Sequence, residues 1–294
     1  MSQKHPVIAV TGSSGAGTST VKVAMEHILR RDGYKAVFIE GDSFHRYDRH
    51  EMKQMIAKAQ EERRFLSHFS PESNLLAELA ALFRDYGESG TGQRRLYLHN
   101  DEEAEPYNQP SGTFTPWEPI QPGTDLLFYE GLHGAAITQE VNVARYADLL
   151  VGVTPIVNLE WIQKIHRDTK HRGYSAAAVT DTILRRMYDY VHYITPQFSR
   201  THINFQRVPT VDTSDPFIAR DIPTLDESFV VIRFGSVLKK RMDYAYLLQM
   251  IQGSFMSRPS TLVIPGGKMG FAMEIILQPL IENLVNHGEL AWPR

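Results

Sequence analysis

The chain of 294 residues contains no cysteine. That absence excludes disulfides, thiolate nucleophiles, cysteine-based zinc sites and thiol redox switching together. Also missing is an apolar run of the ~20 residues that a membrane-spanning helix needs. The opening residues Met1-Ser2-Gln3-Lys4-His5-Pro6 carry no secretory signal core, so a cytoplasmic protein without membrane attachment is expected. Neither sign of charge is in excess: 31 Lys plus Arg face 34 Asp plus Glu, a net charge of -3. No general attraction to nucleic acid or acidic lipid follows, and any anion site must be built locally. Internal repeats and low-complexity tracts are lacking too.

What is present is an alternation of apolar runs and helical patterns. The runs fall at residues 7–10, 36–39, 126–129, 149–153, 229–234 and 261–264. Their hydrophobicity is continuous, which marks strands covered on both faces and predicts an α/β, three-layer fold with a mostly parallel sheet. Strands after Val208 are joined by loops as well as helices, so some should pair antiparallel at one edge. No domain boundary stands out, and residues 1–294 read as a single domain. Residues 88–122 are rich in Gly, Pro, Asn and acids, an irregular excursion expected over the active face. Its acidic cluster, Asp101-Glu102-Glu103-Ala104-Glu105, reads as solvated surface. Residues 268–286 predict a helix packed through Met273, Ile276, Leu280 and Leu284, kinked or interrupted at Pro279.

The first strand runs into Gly12-Ser13-Ser14-Gly15-Ala16-Gly17-Thr18-Ser19-Thr20, close to the phosphate-binding pattern G-x-x-x-x-G-K-[ST]. Glycines let backbone N–H groups turn in around phosphate oxygens, the following helix adds its positive N-terminal end, and Ser19 is placed to put a hydroxyl on Mg²⁺. Val21, Met25, Ile28 and Leu29 supply the buried face of that helix. Thr18 stands where the lysine belongs, so the β- and γ-phosphates must find another cation. A flexible turn is the plainer alternative.

Functional groups in such a sheet lie just past the strand C-termini. Asp42 follows the second strand and is a candidate base for a substrate hydroxyl attacking the γ-phosphorus, or else a helix N-cap. His45, Arg46 and Arg49 follow it, donors suited to a phosphate dianion. Glu130 ends the third strand after four apolar positions and suits Mg²⁺, with a structural ion pair as the alternative. Residues 158–173 predict a helix ended by Gly173, with Trp161 and Ile165 on an apolar face. Lys164, Arg167, Asp168, His171 and Arg172 lie on or near another face, either solvated or the cationic lid that the missing lysine requires.

These motifs, with Tyr129-Glu130-Gly131-Leu132-His133-Gly134, Gln197-Phe198-Ser199 and Ile203-Asn204-Phe205-Gln206-Arg207-Val208-Pro209, resemble the bacterial branch of the phosphoribulokinase family over nearly the whole chain. The resemblance implies a P-loop kinase fold and transfer of the ATP γ-phosphoryl group to O1 of ribulose 5-phosphate in the Calvin cycle. It makes Asp42 the base, Glu130 the acidic partner of Mg·ATP, and His45 and Arg49 binders of the sugar phosphate. Lys164, Arg167, Asp168 and Arg172 become lid residues, Lys164 first among the substitutes for the loop lysine, and Tyr97 and His99 line a substrate-side loop. The branch implies a homo-oligomer, often an octamer, activated by NADH and inhibited by AMP. Arg31, Arg233 and Arg258 match its effector-site arginines, although residues 235–241 depart from the family pattern. A uridine- or pantothenate-type kinase and a nucleotide-binding regulatory module without catalysis are the competing readings.

Overall fold

The computed structural model describes residues 5–13, 17–154, 156–170 and 172–292; the Ser19 side chain is also outside the description. Of the predicted phosphate loop, Ser14, Gly15 and Ala16 therefore lie outside the described residues, as does His171 of the lid.

An eight-stranded sheet runs through the chain: β1 Val7–Thr11, β2 Ala36–Glu40, β5 Leu126–Gly131, β6 Leu149–Val153, β7 Ile203–Pro209, β8 Ser228–Phe234, β9 Phe255–Arg258 and β10 Thr261–Pro265. Its order is β2-β5-β1-β6-β7-β8-β10-β9. The first five strands in that order pair parallel, and β8, β10 and β9 extend the sheet antiparallel, as expected for the segments after Val208. Two short strands inside the excursion, β3 Gln93–Arg94 and β4 Glu118–Pro119, form a separate antiparallel pair.

Alternation along β1 divides the core in two. Ile8 and Val10 face α1 Thr18–Asp32 and α8 Met269–His287, where Met25, Ile28, Ile276 and Leu280 are wholly buried. Val7 and Ala9 face α3 Leu76–Ser89 through Leu79 and Phe83. Each of these large side chains contributes about 1.5–3 kcal/mol by leaving water. α8 is one element: Pro279 lies within it and does not interrupt it. The backbone bond lost to proline is outweighed by apolar contacts at Ile276, Leu277, Leu280 and Ile281, which hold both sides of the break.

The remaining helices are α2 Arg49–Glu61, α4 Asp101–Ala104, α5 Val157–Lys170, α6 Ala176–Asp189 and α7 Tyr244–Met250. The acidic cluster of the excursion forms α4, capped by Asn100 and solvent-facing at its acids. The predicted lid helix is α5; Ile165 packs with Val179 and Ile183 of α6, and Trp161 flanks them.

Candidate active site

Register sets the acids side by side. Glu40 of β2 is the neighbour of Glu130 in β5, and Val10 of β1 lies on the other side of Glu130. Beyond β2 a tight turn, Gly41–Phe44, is held by the Ser43 hydroxyl donating to the Glu40 carbonyl at 2.6 Å. The turn lies against the end of β5 so closely that a Cβ on Gly41 would meet the Gly131 Cα at 2.8 Å. Two glycines thus bring Asp42 beside Glu130. Asp42 makes no capping bond in this turn, which removes its alternative role; Asp48 is the helix cap here, in a capping box with Glu51.

Asp42 is paired through its Oδ1 with His45 Nε2 at 3.2 Å. Burial works to raise its carboxyl, but the His45 hydrogen bond and the charges of His45 and His99 outweigh it, leaving Asp42 below the usual carboxylate range. His45 is buried, and its Nδ1 faces Asn74 Oδ1 at 2.9 Å, so both ring nitrogens are engaged. The expected phosphate donor thus points inward at Asp42 in this conformation. Arg46 likewise braces the backbone, donating to the carbonyls of Glu72 at 3.0 Å and Asn74 at 3.3 Å. Arg49 opens α2 and donates to the His99 carbonyl at 2.6 Å. It also hydrogen-bonds the Tyr97 side chain. Tyr97 stands edge-on to His99, with ring centroids 4.8 Å apart, and His99 Nε2 lies 3.7 Å from Glu40. That carboxylate holds the His99 imidazole above its ordinary range.

Glu130 is held above the usual carboxylate range despite the opposing charge of Lys22. Burial pushes it up, the Thr18 hydrogen bond opposes, and the charges of Asp42 and Glu40 add to the rise. Among the described residues no ion pair reaches it, whereas neighbouring Glu40 is met by Lys22 at 2.9 Å. Thr18, the residue in the lysine position, is therefore committed to Glu130.

The described parts of the loop fit a nucleotide phosphate. Gly12 admits no side chain, since a Cβ would stand 2.7 Å from Thr18 Cγ2 and 3.0 Å from the Val153 carbonyl. Gly17 precedes α1 at φ 94°, a left-handed conformation, and fifteen helical residues follow. Ser13 is buried and donates to Glu160 of α5, whose other oxygen accepts from Tyr190 at 3.0 Å. Among the described residues no cluster of three His, Asp or Glu could hold a metal. A single carboxylate is what Mg²⁺ needs when phosphates and water complete its shell.

On and just beyond α5, Asp168 gathers three cations: Lys164 at 2.5 Å, Arg167 at 2.9 Å and Arg172 at 3.3 Å. Burial draws Lys164 down to about 8, with Arg186 adding and Asp168 opposing. The arginines expected to bind an effector lie on different elements. Arg233 and Arg258 both pair with Thr261 at the far end of the sheet, while Arg31 sits late in α1 against Glu274 of α8 at 3.3 Å.

Residues 7–214 match the model of the phosphoribulokinase / uridine kinase family. The chain belongs to that family. Within it, the plasmid phosphoribulokinase of Cupriavidus necator is 60% identical over 292 residues, 99% of each chain. A probable phosphoribulokinase of Escherichia coli K12 is 59% identical over 285 residues, 97% of this chain and 98% of the other. A solved phosphoribulokinase from Rhodobacter spheroides superimposes with a TM-score of 0.87 at 54% identity, covering 96% of this chain and 98% of that one.

For this member of the phosphoribulokinase / uridine kinase family, sequence reasoning overlooked four side chains at the site. Asn74 orients His45; Arg186 donates to His68 at 3.3 Å; Glu160 joins loop to lid; Arg95 reaches the Asp42 turn. Arg95 donates to the carbonyls of Ser43 at 2.8 Å and His45 at 2.7 Å, its guanidinium 3.7 Å from the Phe114 ring centre. None carries a local pattern in the sequence.

Proposed function

We infer that the chain is an ATP-dependent phosphoribulokinase, which moves the γ-phosphoryl group of ATP to O1 of ribulose 5-phosphate and yields ribulose 1,5-bisphosphate and ADP. The carrying observation is near-full-length identity of 60% to a protein named phosphoribulokinase. The site's chemistry agrees with such a reaction.

In this reading Asp42 takes the proton from O1 as the O1–P bond forms and the bond to the ADP oxygen breaks. Residues 12–20 cradle the nucleotide phosphates, and Glu130 with Ser19 would hold Mg²⁺. The metal, when bound, draws charge from the phosphate oxygens. Arg49, Tyr97, His99 and Arg172 face the sugar phosphate, with His45 behind Asp42. Closing of the lid at residues 158–173 replaces an Asp168 oxygen at Lys164 with phosphate oxygens, while Arg167 and Asp168 keep the helix aligned. Residues 1–294 act as one catalytic domain in the cytoplasm. Control by NADH and AMP through Arg31, Arg233 and Arg258, in a homo-oligomer, extends the proposal.

The test is ADP release with Mg·ATP and a panel of acceptors. Turnover with ribulose 5-phosphate and none with uridine or pantothenate is expected. The reverse pattern would reassign the substrate, and inactivity with every acceptor would favour a regulatory nucleotide-binding role.

A further inference from the structure

Asn74 is 3% exposed and lies 29 residues from His45 in sequence, yet the two are locked together. Their backbones form an antiparallel bridge, with Leu75 N–H donating to the Phe44 carbonyl at 2.7 Å and Arg46 N–H to Ser73 at 2.8 Å. The Asn74 amide nitrogen donates to the carbonyls of His68 at 2.9 Å and Ser70 at 2.7 Å. Both amide hydrogens are used, so the orientation of the amide is fixed and only its oxygen can face His45. A carbonyl oxygen accepts, which places a hydrogen on His45 Nδ1. A neutral imidazole has one N–H. Were His45 neutral, a lone pair on Nε2 would point at the Asp42 carboxylate 3.2 Å away. The contact is attractive only with a second proton between them.

We propose that Asn74 is a positioning residue for the base: by claiming the Nδ1 hydrogen it obliges His45 to hold a proton toward Asp42, joining Asn74, His45 and Asp42 into one proton-holding chain. Asp42 keeps its charge, and its Oδ1 is anchored while the other oxygen is left for the substrate hydroxyl. On transfer the O1 proton passes to Asp42 and then to solvent, the O1–P bond forms, and the electron pair of the breaking P–O bond leaves with ADP; His45 retains its proton. The surroundings favour this arrangement. Burial drives His68 and His133 toward the neutral form, so neither ring competes for the charge. Arg186 acts on His68 and Arg95 on the His45 carbonyl, neither on the imidazole edge, and Tyr97 presents its ring.

The proposal rests on Asp42 being the base, and its test has a readout free of catalysis. In the ¹⁵N NMR spectrum of the intact protein, raised in pH until the His45 ring is singly protonated, the hydrogen should reside on Nδ1. Free imidazole side chains favour Nε2, and finding it there would overturn the proposal. In Asn74→Ala, the alkaline limb of kcat/KM for the active acceptor should move about one unit to lower pH, a tenfold loss at a fixed pH on that limb, with the KM for ATP unchanged. An equal fall at every pH would mean a merely structural residue and would also overturn it. If ribulose 5-phosphate proves not to be the acceptor, the NMR result still stands and the pH profile is taken with the acceptor that turns over.

Discussion

Lys164 Nζ lies 2.5 Å from Asp168 Oδ2 on the same helix, and both side chains are buried. A buried lysine drawn down to about 8 loses its proton as pH passes that value, so the alkaline limb of kcat/KM for ATP, which reports the free protein, should fall near pH 8. Lys164→Met should lower kcat by about 10²-fold or more, the scale of removing one transition-state donor. Lys170→Met, at the exposed end of the helix, should change it only a few-fold. Steady-state rates of the two variants decide this, and equal small losses would move the missing cation elsewhere.

Asp42→Asn should retain nucleotide binding while kcat drops by about 10²–10⁴-fold, the usual worth of a positioned base. Calorimetric titration with an ATP analogue, alongside ADP release, separates the two effects. Near-normal turnover would remove Asp42 from the mechanism.

Glu160 makes stability depend on pH in a definite direction. Burial pushes it up to about 7 from a reference of 4.5, against the hydrogen bonds of Ser13 and Tyr190. Above pH 4.5 the unfolded chain gives up this proton while the folded chain keeps it, so stability falls as pH rises. The loss is complete above pH 7, at roughly 3 kcal/mol. Glu160→Gln should flatten the curve across this window. Urea unfolding at pH 5, 6, 7 and 8 checks it; parallel slopes for the two proteins would refute it.

Gly131→Ala would bring a Cβ to 2.6 Å from both the Gly41 Cα and the Tyr129 hydroxyl. Overpacking of this kind costs about 1–3 kcal/mol, and here it displaces the Asp42 turn, so activity should fall more than stability. Gly134→Ala meets its nearest atom at 3.1 Å and should be milder. Thermal unfolding and kcat for both variants test the ranking.

Much of this arrangement was legible in the chain itself. Continuous apolar runs betrayed β1, β2, β5 and β6, because strands covered on both faces need no polar side, and Asp42 and Glu130 could be picked out as acids ending such runs. β7 drew attention only through resemblance, since Asn204, Gln206 and Arg207 interrupt its apolar pattern. β9 is a short edge strand with an exposed Phe255 and gives no burial signal. The partners of the candidate site residues were the least visible. Ser13 and Glu160 stand 147 residues apart, and a contact made only by folding leaves no periodicity to read.

The commitment of Thr18 to Glu130 bears on what happens when ATP arrives alone. A loop with lysine in that place carries its own countercharge at all times and can assist attack by whatever oxygen is nearest, water included. Here the position is neutral, and Lys164, the proposed replacement charge, is held on a separate helix against Asp168. With Lys164 in the role proposed above, a nucleotide that enters before its acceptor should meet a cradle with little power to activate it. Slow ATP hydrolysis without an acceptor, faster in Thr18→Lys, is the expected outcome, and the substitution would then tie use of the nucleotide to the presence of something worth phosphorylating.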